Sequence, residues 1–189
     1  NPHKIEELQQ ILAPLGIELK SALDFPDLEE VVEDAPTLEG NALKKARYVS
    51  QQTGITALAD DTGLEVDALN GAPGVYSARY AGESATYTDN VQKMLRELAN
   101  TPTPRSAQFR TVVALVNAQN GEEHTFEGVC KGQILEAPTG DQGFGYDPIF
   151  LPDGFEQSFA QMDADTKNAI SHRGRAVAAF VQWLKEQPS

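Results

Sequence analysis

Apolar residues recur at helical spacing in four segments of the chain. Ile5, Leu8 and Leu12 align on one face of residues 4–13, and Gly16 follows as a terminator. The other three segments predict a helix over 37–52 that Thr37 caps, a helix that starts at Thr86 or Thr88 and ends at Asn100, and a C-terminal helix that begins at Ser171.

Between these helices, apolar residues alternate with polar ones or form short apolar runs, as in β-strands. The sequence Asn120-Gly121 is typical of a hairpin turn, so the two strands beside it are expected to pair antiparallel. The predicted strands cover residues 17–23, 55–59, 64–69, 107–117 and 122–136.

Helices that alternate with strands early in the chain, followed by hairpin strands, favour an α/β fold with a mixed central β-sheet flanked by helices. The 189 residues fit a single domain, residues 1–189, with room for two lobes. Ligands of open α/β sheets commonly bind at the carboxyl ends of strands. We therefore expect the acidic residues that follow the strand at Ile55 to lie at such an end.

Composition narrows the classes of partner. The net charge is −13 and no basic arm is present, which disfavours nucleic acid as a partner. No apolar run reaches the length of a membrane span. The single cysteine, Cys130, cannot form an internal disulfide, which fits the cytoplasm. A small phosphorylated substrate remains compatible with this charge if a few cations are placed locally.

The first candidate for chemistry is Asp60-Asp61-Thr62-Gly63, which follows a short apolar run. Two adjacent carboxylates repel each other unless a cation neutralises them, and oxygen ligands of this kind suit Mg²⁺. The alternative is a solvated turn in which the Asp and Thr side chains bond to their own backbone.

The second candidate is the glycine-rich segment 139–148, which contains Phe144, Gly145, Tyr146 and Asp147. Glycines let backbone amides approach a ligand closely, and an aromatic ring can stack on a flat base. No Gly-Lys-Ser/Thr sequence follows, so the segment is not a phosphate-binding P-loop. The alternative is a structural loop with a buried aromatic ring.

The third candidate is the start of the C-terminal helix, where Ser171 would place His172 and Arg173 in the first turn. Positive charge there opposes the helix dipole, so these side chains are expected to reach for a ligand. Together with Lys167 they can donate hydrogen bonds to a carbonyl oxygen. The alternative is an ordinary solvated helix start.

The fourth candidate combines the opening residues 1–4 with the helix that Thr37 caps. Glu39 could complete a metal site, and Lys4 and Lys45 could hold phosphate oxygens. The alternative is that these lysines only form the solvated faces of amphipathic helices.

Together, these segments resemble the inosine triphosphate pyrophosphatase family, the Ham1-like proteins, over essentially the whole chain. Agreement across six blocks in the same order is unlike a chance match. The blocks are residues 1–4, 37–46, 59–64, 71–80, 143–148 and 168–174.

The resemblance implies an ITPase-like (Maf/Ham1) fold with a cleft between two lobes, a homodimer, and Mg²⁺-dependent hydrolysis of ITP, dITP and XTP to the monophosphate and pyrophosphate. It also implies that Asp61 is the general base and a metal ligand, and that Asp60 and Glu39 support the metal. The substrate-binding residues that it implies are Asn1, Lys4, Lys45 and Thr62 for the phosphates and Phe144, Gly145, Tyr146, Asp147, Lys167, His172 and Arg173 for the purine.

The sequence departs from the family pattern in three places. Thr62 stands where Ser is usual, and Gly40 stands where a second Glu often follows Glu39. The strand that the family has before Asn1 lies outside this sequence.

Two other functions fit parts of the sequence. The sequence Asp61-Thr62-Gly63 also matches the active-site triplet of aspartic proteases, but only one copy occurs and the predicted helices do not suit that class. A nucleotide-sensing module would keep the purine pocket without hydrolysis. For the enzyme, we expect His172 and Arg173 to select the 6-keto group of hypoxanthine or xanthine over the amino group of adenine.

Overall fold

The computed structural model describes residues 2–187 and, within them, all side chains except those of residues 2–4, 7 and 11. Asn1 and the Lys4 side chain, both expected to contact phosphates, therefore lie outside the described part. The helices are α1 (Pro2–Leu12), α2 (Leu38–Thr53), α3 (Tyr87–Glu97), α4 (Ala164–Ile170) and α5 (His172–Lys185), and the strands are β1 (Ala57–Val66), β2 (Pro73–Gly74), β3 (Ser106–Val116), β4 (Glu123–Ile134) and β5 (Phe150–Pro152).

The five strands form one sheet in the order β2-β1-β3-β4-β5 with helices on both faces, which confirms the α/β class. The predicted hairpin is also confirmed, since Val116 of β3 pairs with Glu123 of β4. Every strand pair within residues 2–187 is antiparallel, whereas a mixed sheet was expected. The reason is that β3 starts beside the end of β1, with Ala107 opposite Val66, and runs back along it.

The predicted strand end at Asp60 was wrong, and so was the turn over 60–63. Strand β1 continues without interruption through Asp60, Asp61, Thr62 and Gly63, so these acids lie in the middle of a strand. Their backbone pairs with residues 110–113 of β3. Pairing with a distant strand thus outweighs the local turn preference of these residues.

The predicted strand over 17–23 was also wrong. This segment lies outside the sheet and leads into a short 3-10 helix, Ala22–Asp24. The Gln9 side chain of α1 accepts a hydrogen bond from the Leu19 amide at 2.7 Å and donates one to the Ile17 carbonyl at 3.2 Å. A side chain of α1 thus satisfies backbone groups that a neighbouring strand would otherwise bind.

The two faces of the sheet carry different helices. Side chains alternate along a strand, so Ala57 of β1 and Val112 and Ala114 of β3 share the face on which α2 packs. The opposite face carries α5, whose Phe180 ring contacts Phe126 of β4. No helix in the described part of the chain has the length and apolar character needed to cross a membrane.

Candidate active site

The two adjacent acids of β1 point to opposite faces of the sheet. Asp60 lies on the α5 face, where its Oδ2 accepts a hydrogen bond from Arg173 at 2.9 Å. Asp61 lies on the α2 face, where its Oδ2 accepts one from the Asn41 side chain at 3.2 Å. The strand places the two carboxylates apart because successive side chains of a strand alternate. Their mutual repulsion therefore does not require a shared cation.

Asp61 is a partly buried carboxylate held by two neutral donors. Asn41 binds one oxygen, and the Thr62 amide donates to the other at 3.1 Å. Burial raises the pKa of Asp61 above its ordinary value, which Lys45 opposes and Glu33 reinforces. Asp61 is therefore a stronger base than an exposed aspartate.

Lys45 joins α2 to the outer side of β1. Its Nζ donates to the backbone carbonyl of Asp60 at 2.5 Å and forms an ion pair with Glu33 at 2.6 Å. The lysine thus supplies positive charge next to Asp61, and its expected contact with phosphates stays a prediction.

Glu39 is engaged by a cation. Its carboxylate forms an ion pair with Arg110 of β3, and the same arginine binds Glu127 of β4 at 2.7 Å. Among the side chains that the structure describes, no three of His, Cys, Asp or Glu gather into a group able to hold a metal ion. The structure thus does not bring Asp60, Asp61 and Glu39 together in one metal site.

The donor set still fits a magnesium ion at Asp61. Magnesium is usually bound by one or two carboxylates together with substrate phosphates and water, rather than by a cage of protein ligands. Asp61 offers such a carboxylate beside the cationic Lys45. Asp60 and Glu39 each bind an arginine instead.

Most of the predicted substrate residues meet in one cavity on the α5 face, which we call the aromatic cavity. Its volume is about 340 Å³, within the usual range of small-molecule sites. Eight of the predicted residues line it, namely Thr62, Phe144, Gly145, Tyr146, Asp147, Lys167, His172 and Arg173. The structure thus joins the first, second and third candidate segments of the sequence at one place.

A partly buried ion pair organises one wall of the aromatic cavity. Lys167 donates to Asp147 at 2.6 Å, and its Nζ lies 4.7 Å from the centre of the Phe144 ring. The Phe144 amide donates to the same Asp147 oxygen at 3.0 Å. Burial raises the pKa of Asp147, and Lys167 opposes that increase. The ion pair thus links the glycine-rich loop to α4.

His172 and Arg173 form the first turn of α5, as predicted. The Ser171 side chain caps the helix by accepting a hydrogen bond from the Gly174 amide at 3.1 Å. His172 is buried and stacks on Phe109 of β3 with a centroid distance of 4.7 Å. This stacking fixes the plane in which the imidazole faces the cavity.

A second space, which we call the α1–α5 groove, adjoins the aromatic cavity. Its volume is about 650 Å³, and its lining includes Ile5 of α1, Asp60 of β1 and Val177 of α5. Asn168 and Arg173 line both spaces. Arg173 therefore lies at their boundary, with Asp60 beside it.

Some supporting residues were not predicted. Asn41 is buried, and it holds both Asp61 and the Ala35 amide. The Tyr146 hydroxyl donates a hydrogen bond to the backbone carbonyl oxygen of Ser77 at 2.7 Å. Asn41 has a sequence signal, since it lies three residues after the buried Leu38 on the inner face of α2. Ser77 has none, because its contact depends on two distant loops meeting.

The chain is similar to known proteins over nearly its whole length. The sequence matches the Ham1 family over residues 1–183. It is 50% identical over 184 residues to the dITP/XTP pyrophosphatase of Flavobacterium johnsoniae, covering 97% of this chain and 94% of that protein. It is 48% identical to the dITP/XTP pyrophosphatase of Porphyromonas gingivalis, covering 97% of this chain and 93% of the relative.

Solved structures give the same result. A HAM1 protein from Coxiella burnetii superposes with a TM-score of 0.93 at 42% identity, covering 99% of this chain and 95% of the other. The Staphylococcus aureus Ham1 protein gives a TM-score of 0.90 at 38% identity, covering 98% and 94%. Neither the protease nor the sensing alternative finds support among these relatives. The chain belongs to the Ham1 family.

Proposed function

We propose that this protein hydrolyses dITP, XTP and ITP to the corresponding monophosphate and pyrophosphate, with Mg²⁺ as cofactor. The observation that carries the proposal is the aromatic cavity, where a stacking ring and three cationic or donor side chains meet. The similarity to dITP/XTP pyrophosphatases supports the same substrate class.

The purine would bind in the aromatic cavity. Phe144 offers a ring for stacking, and Lys167, His172 and Arg173 offer donors to a 6-keto oxygen. Adenine carries an amino group at that position, which would leave buried donors without an acceptor. The cavity thus favours hypoxanthine and xanthine over adenine.

The triphosphate would pass from the cavity at Thr62 around the edge of β1, which β2 pairs only at Leu64 and Glu65, to reach Asp61 and Lys45 on the α2 face. When bound, Mg²⁺ would be held by Asp61 and the phosphate oxygens and would neutralise charge on the phosphates. Asp61 would accept the proton of the attacking water, a role that its raised pKa favours. Asn41 and the Thr62 amide would keep its two oxygens in place.

The same proposal includes a single domain, a homodimer and a cytoplasmic location. The rigid turn that begins at Asn70 (φ 55°) leads to Tyr76, whose ring is largely exposed and available to a second copy. A cytoplasmic location fits an enzyme that removes unwanted nucleotides from precursor pools.

The test is a pyrophosphate-release screen over all natural nucleoside triphosphates plus ITP, dITP and XTP, with and without Mg²⁺. We expect release from ITP, dITP and XTP but not from ATP or dATP, whose base has an amino group in place of the 6-keto oxygen, and only with the metal. Asp61→Asn is the matched control, and it should slow release by at least about 10²-fold while ITP still raises the melting temperature. If ITP raises the melting temperature of the wild type but no pyrophosphate is released, the protein would instead be a nucleotide sensor.

A further inference from the structure

Tyr87 and Phe144 are two exposed aromatic side chains that form a tilted ring pair at the aromatic cavity. Both line the cavity, and their ring centroids lie 6.3 Å apart at an angle of 44°. Tyr87 is 61% exposed and Phe144 is 45% exposed, whereas Phe109 and Tyr146 in the same cavity are buried. A ligand that covers such exposed apolar rings gains binding free energy, because the rings are removed from water.

The position of Tyr87 is fixed by the start of α3. Thr86 and Asp89 cap the helix reciprocally, with backbone-to-side-chain distances of 3.0 and 3.1 Å. One turn later, Asn90 donates to the Ala78 carbonyl at 3.1 Å, which attaches this end of α3 to the loop before it. The N-terminal end of α3 therefore holds Tyr87 in a fixed position at the cavity.

The position of Phe144 is fixed by the glycine-rich loop. Gly143 and Gly145 on either side have φ values of 74° and 61°, which other residues adopt with strain. The Phe144 amide binds Asp147, and Lys167 lies near the ring face. The two rings thus belong to separate elements that are each held independently.

We infer that Tyr87 forms a second aromatic wall of the base site, so that the purine lies between Tyr87 and Phe144. The inference rests on the proposed function, which supplies the base. A flat ring between two others needs a separation of about 7 Å, two contact layers of about 3.5 Å. The two rings now form a tilted pair with centroids 6.3 Å apart at 44°, so Tyr87 has to rotate toward parallel as well as move outward by about 1 Å to admit a base. The exposed Tyr87 ring can make this change without disturbing the core.

Stacking on an aromatic ring depends on the flat face of a base and does not distinguish the hydrogen-bonding groups along its edge. Tyr87 would therefore contribute affinity for the bicyclic ring, while the choice between keto and amino groups would depend on His172 and Arg173. Loss of the Tyr87 ring should weaken ITP and ATP binding by the same factor. Loss of the Arg173 guanidinium should change the ratio between them.

The experiment compares Tyr87→Ala and Tyr87→Phe with the wild type, by steady-state kinetics on ITP and by calorimetric binding of IMP. For Tyr87→Ala we expect KM for ITP and the dissociation constant for IMP to rise by about tenfold, with kcat changed by less than about twofold, as for the loss of one base-stacking contact. Tyr87→Phe should behave as the wild type. Phe155→Ala, which removes another exposed aromatic ring that does not line the cavity, is the matched control.

Two results would overturn the inference: unchanged IMP binding in Tyr87→Ala, or an equal loss in Tyr87→Phe and Tyr87→Ala. The outcome for the proposed function is separate. If the wild type binds IMP through Tyr87 but releases no pyrophosphate, the aromatic wall would be supported and the proposed hydrolysis would be rejected. A wild type that binds no purine nucleotide would reject both.

Discussion

The carboxylates of Asp60 and Asp61 lie on opposite faces of the central sheet, although the two residues are neighbours in the chain. Asp60 holds Arg173, which lines the aromatic cavity, and Asp61 is held by Asn41 on the α2 face. The two acids therefore have different surroundings and different chemistry. In the proposed function, Asp60 would orient a donor to the base, and Asp61 would act on water.

Substitution of the two acids should have distinct kinetic effects. Asp61→Asn removes the base but keeps the side-chain volume, so we expect kcat on ITP to fall by about 10²- to 10⁴-fold. Asp60→Asn weakens the ion pair with Arg173, so it should mainly raise KM for ITP. Steady-state kinetics of both variants, with circular dichroism to verify folding, makes the measurement.

A double-mutant cycle tests whether Asp60 acts through Arg173. If it does, Asp60→Asn combined with Arg173→Gln should lose little more kcat/KM than Arg173→Gln alone, because the two residues share one interaction. Fully additive losses would show that Asp60 has an independent role, such as binding the metal.

Four of the five described helices and the hairpin could be predicted from sequence because their signals are local, whereas the seven-residue helix α4 was not predicted. Thr37 and Gly54 mark the ends of α2, and Asn120-Gly121 marks the hairpin, within a few residues of the structure they determine. The continuity of β1 had no such signal. It depends on pairing with β3, about fifty residues away in the chain.

The site was predicted as a set of residues but not as an arrangement. The resemblance brought Thr62, Phe144 and His172 together, and they do line one cavity. The separation of Asp60 from Asp61 follows from strand alternation, but only once β1 is known to continue through them. Contacts such as Asn41 with Asp61 depend on how α2 packs on the sheet, which no local pattern encodes.

Gly128 of β4 allows the first turn of α5 to approach the sheet. A Cβ at this position would lie 1.9 Å from the His172 carbonyl oxygen and 2.4 Å from the Ala176 amide nitrogen. Gly128→Ala should therefore push α5 away, lowering the free energy of unfolding by about 2 kcal/mol and raising KM for ITP. Urea unfolding and kinetics measure the two effects.

The control for Gly128→Ala is Lys131→Ala, which changes an exposed side chain on the same strand. It should leave both quantities within error of the wild type. A Gly128→Ala protein with wild-type stability and KM would show that α5 does not need this close contact.

Arg105 is a buried cation just before β3 whose guanidinium connects the end of α3 to the end of β4. It is 4% exposed and donates to the carbonyls of Leu98 after α3, Ile134 at the end of β4, and Leu135. Arg105→Met would leave these carbonyls without a donor, and we expect a loss of about 2 to 4 kcal/mol in the free energy of unfolding. Arg96→Met, which changes an exposed arginine of α3, should cost less than about 0.5 kcal/mol. Equal stability of the two variants in urea would contradict this assignment.

Cys130 should be almost inert toward thiol reagents in the folded protein. It is 2% exposed, and burial raises the pKa of its thiol, so at pH 8 a smaller fraction is thiolate than in an ordinary cysteine. We expect the reaction with a disulfide reagent at pH 8 to be at least about 100-fold slower in buffer than in urea, and to accelerate as pH rises. The control is Cys130→Ala combined with Lys131→Cys, which moves the thiol to the exposed neighbouring position and should restore fast reaction. A native Cys130 that reacts as fast as this control would show that β4 opens readily, which the close packing of α5 on that strand opposes.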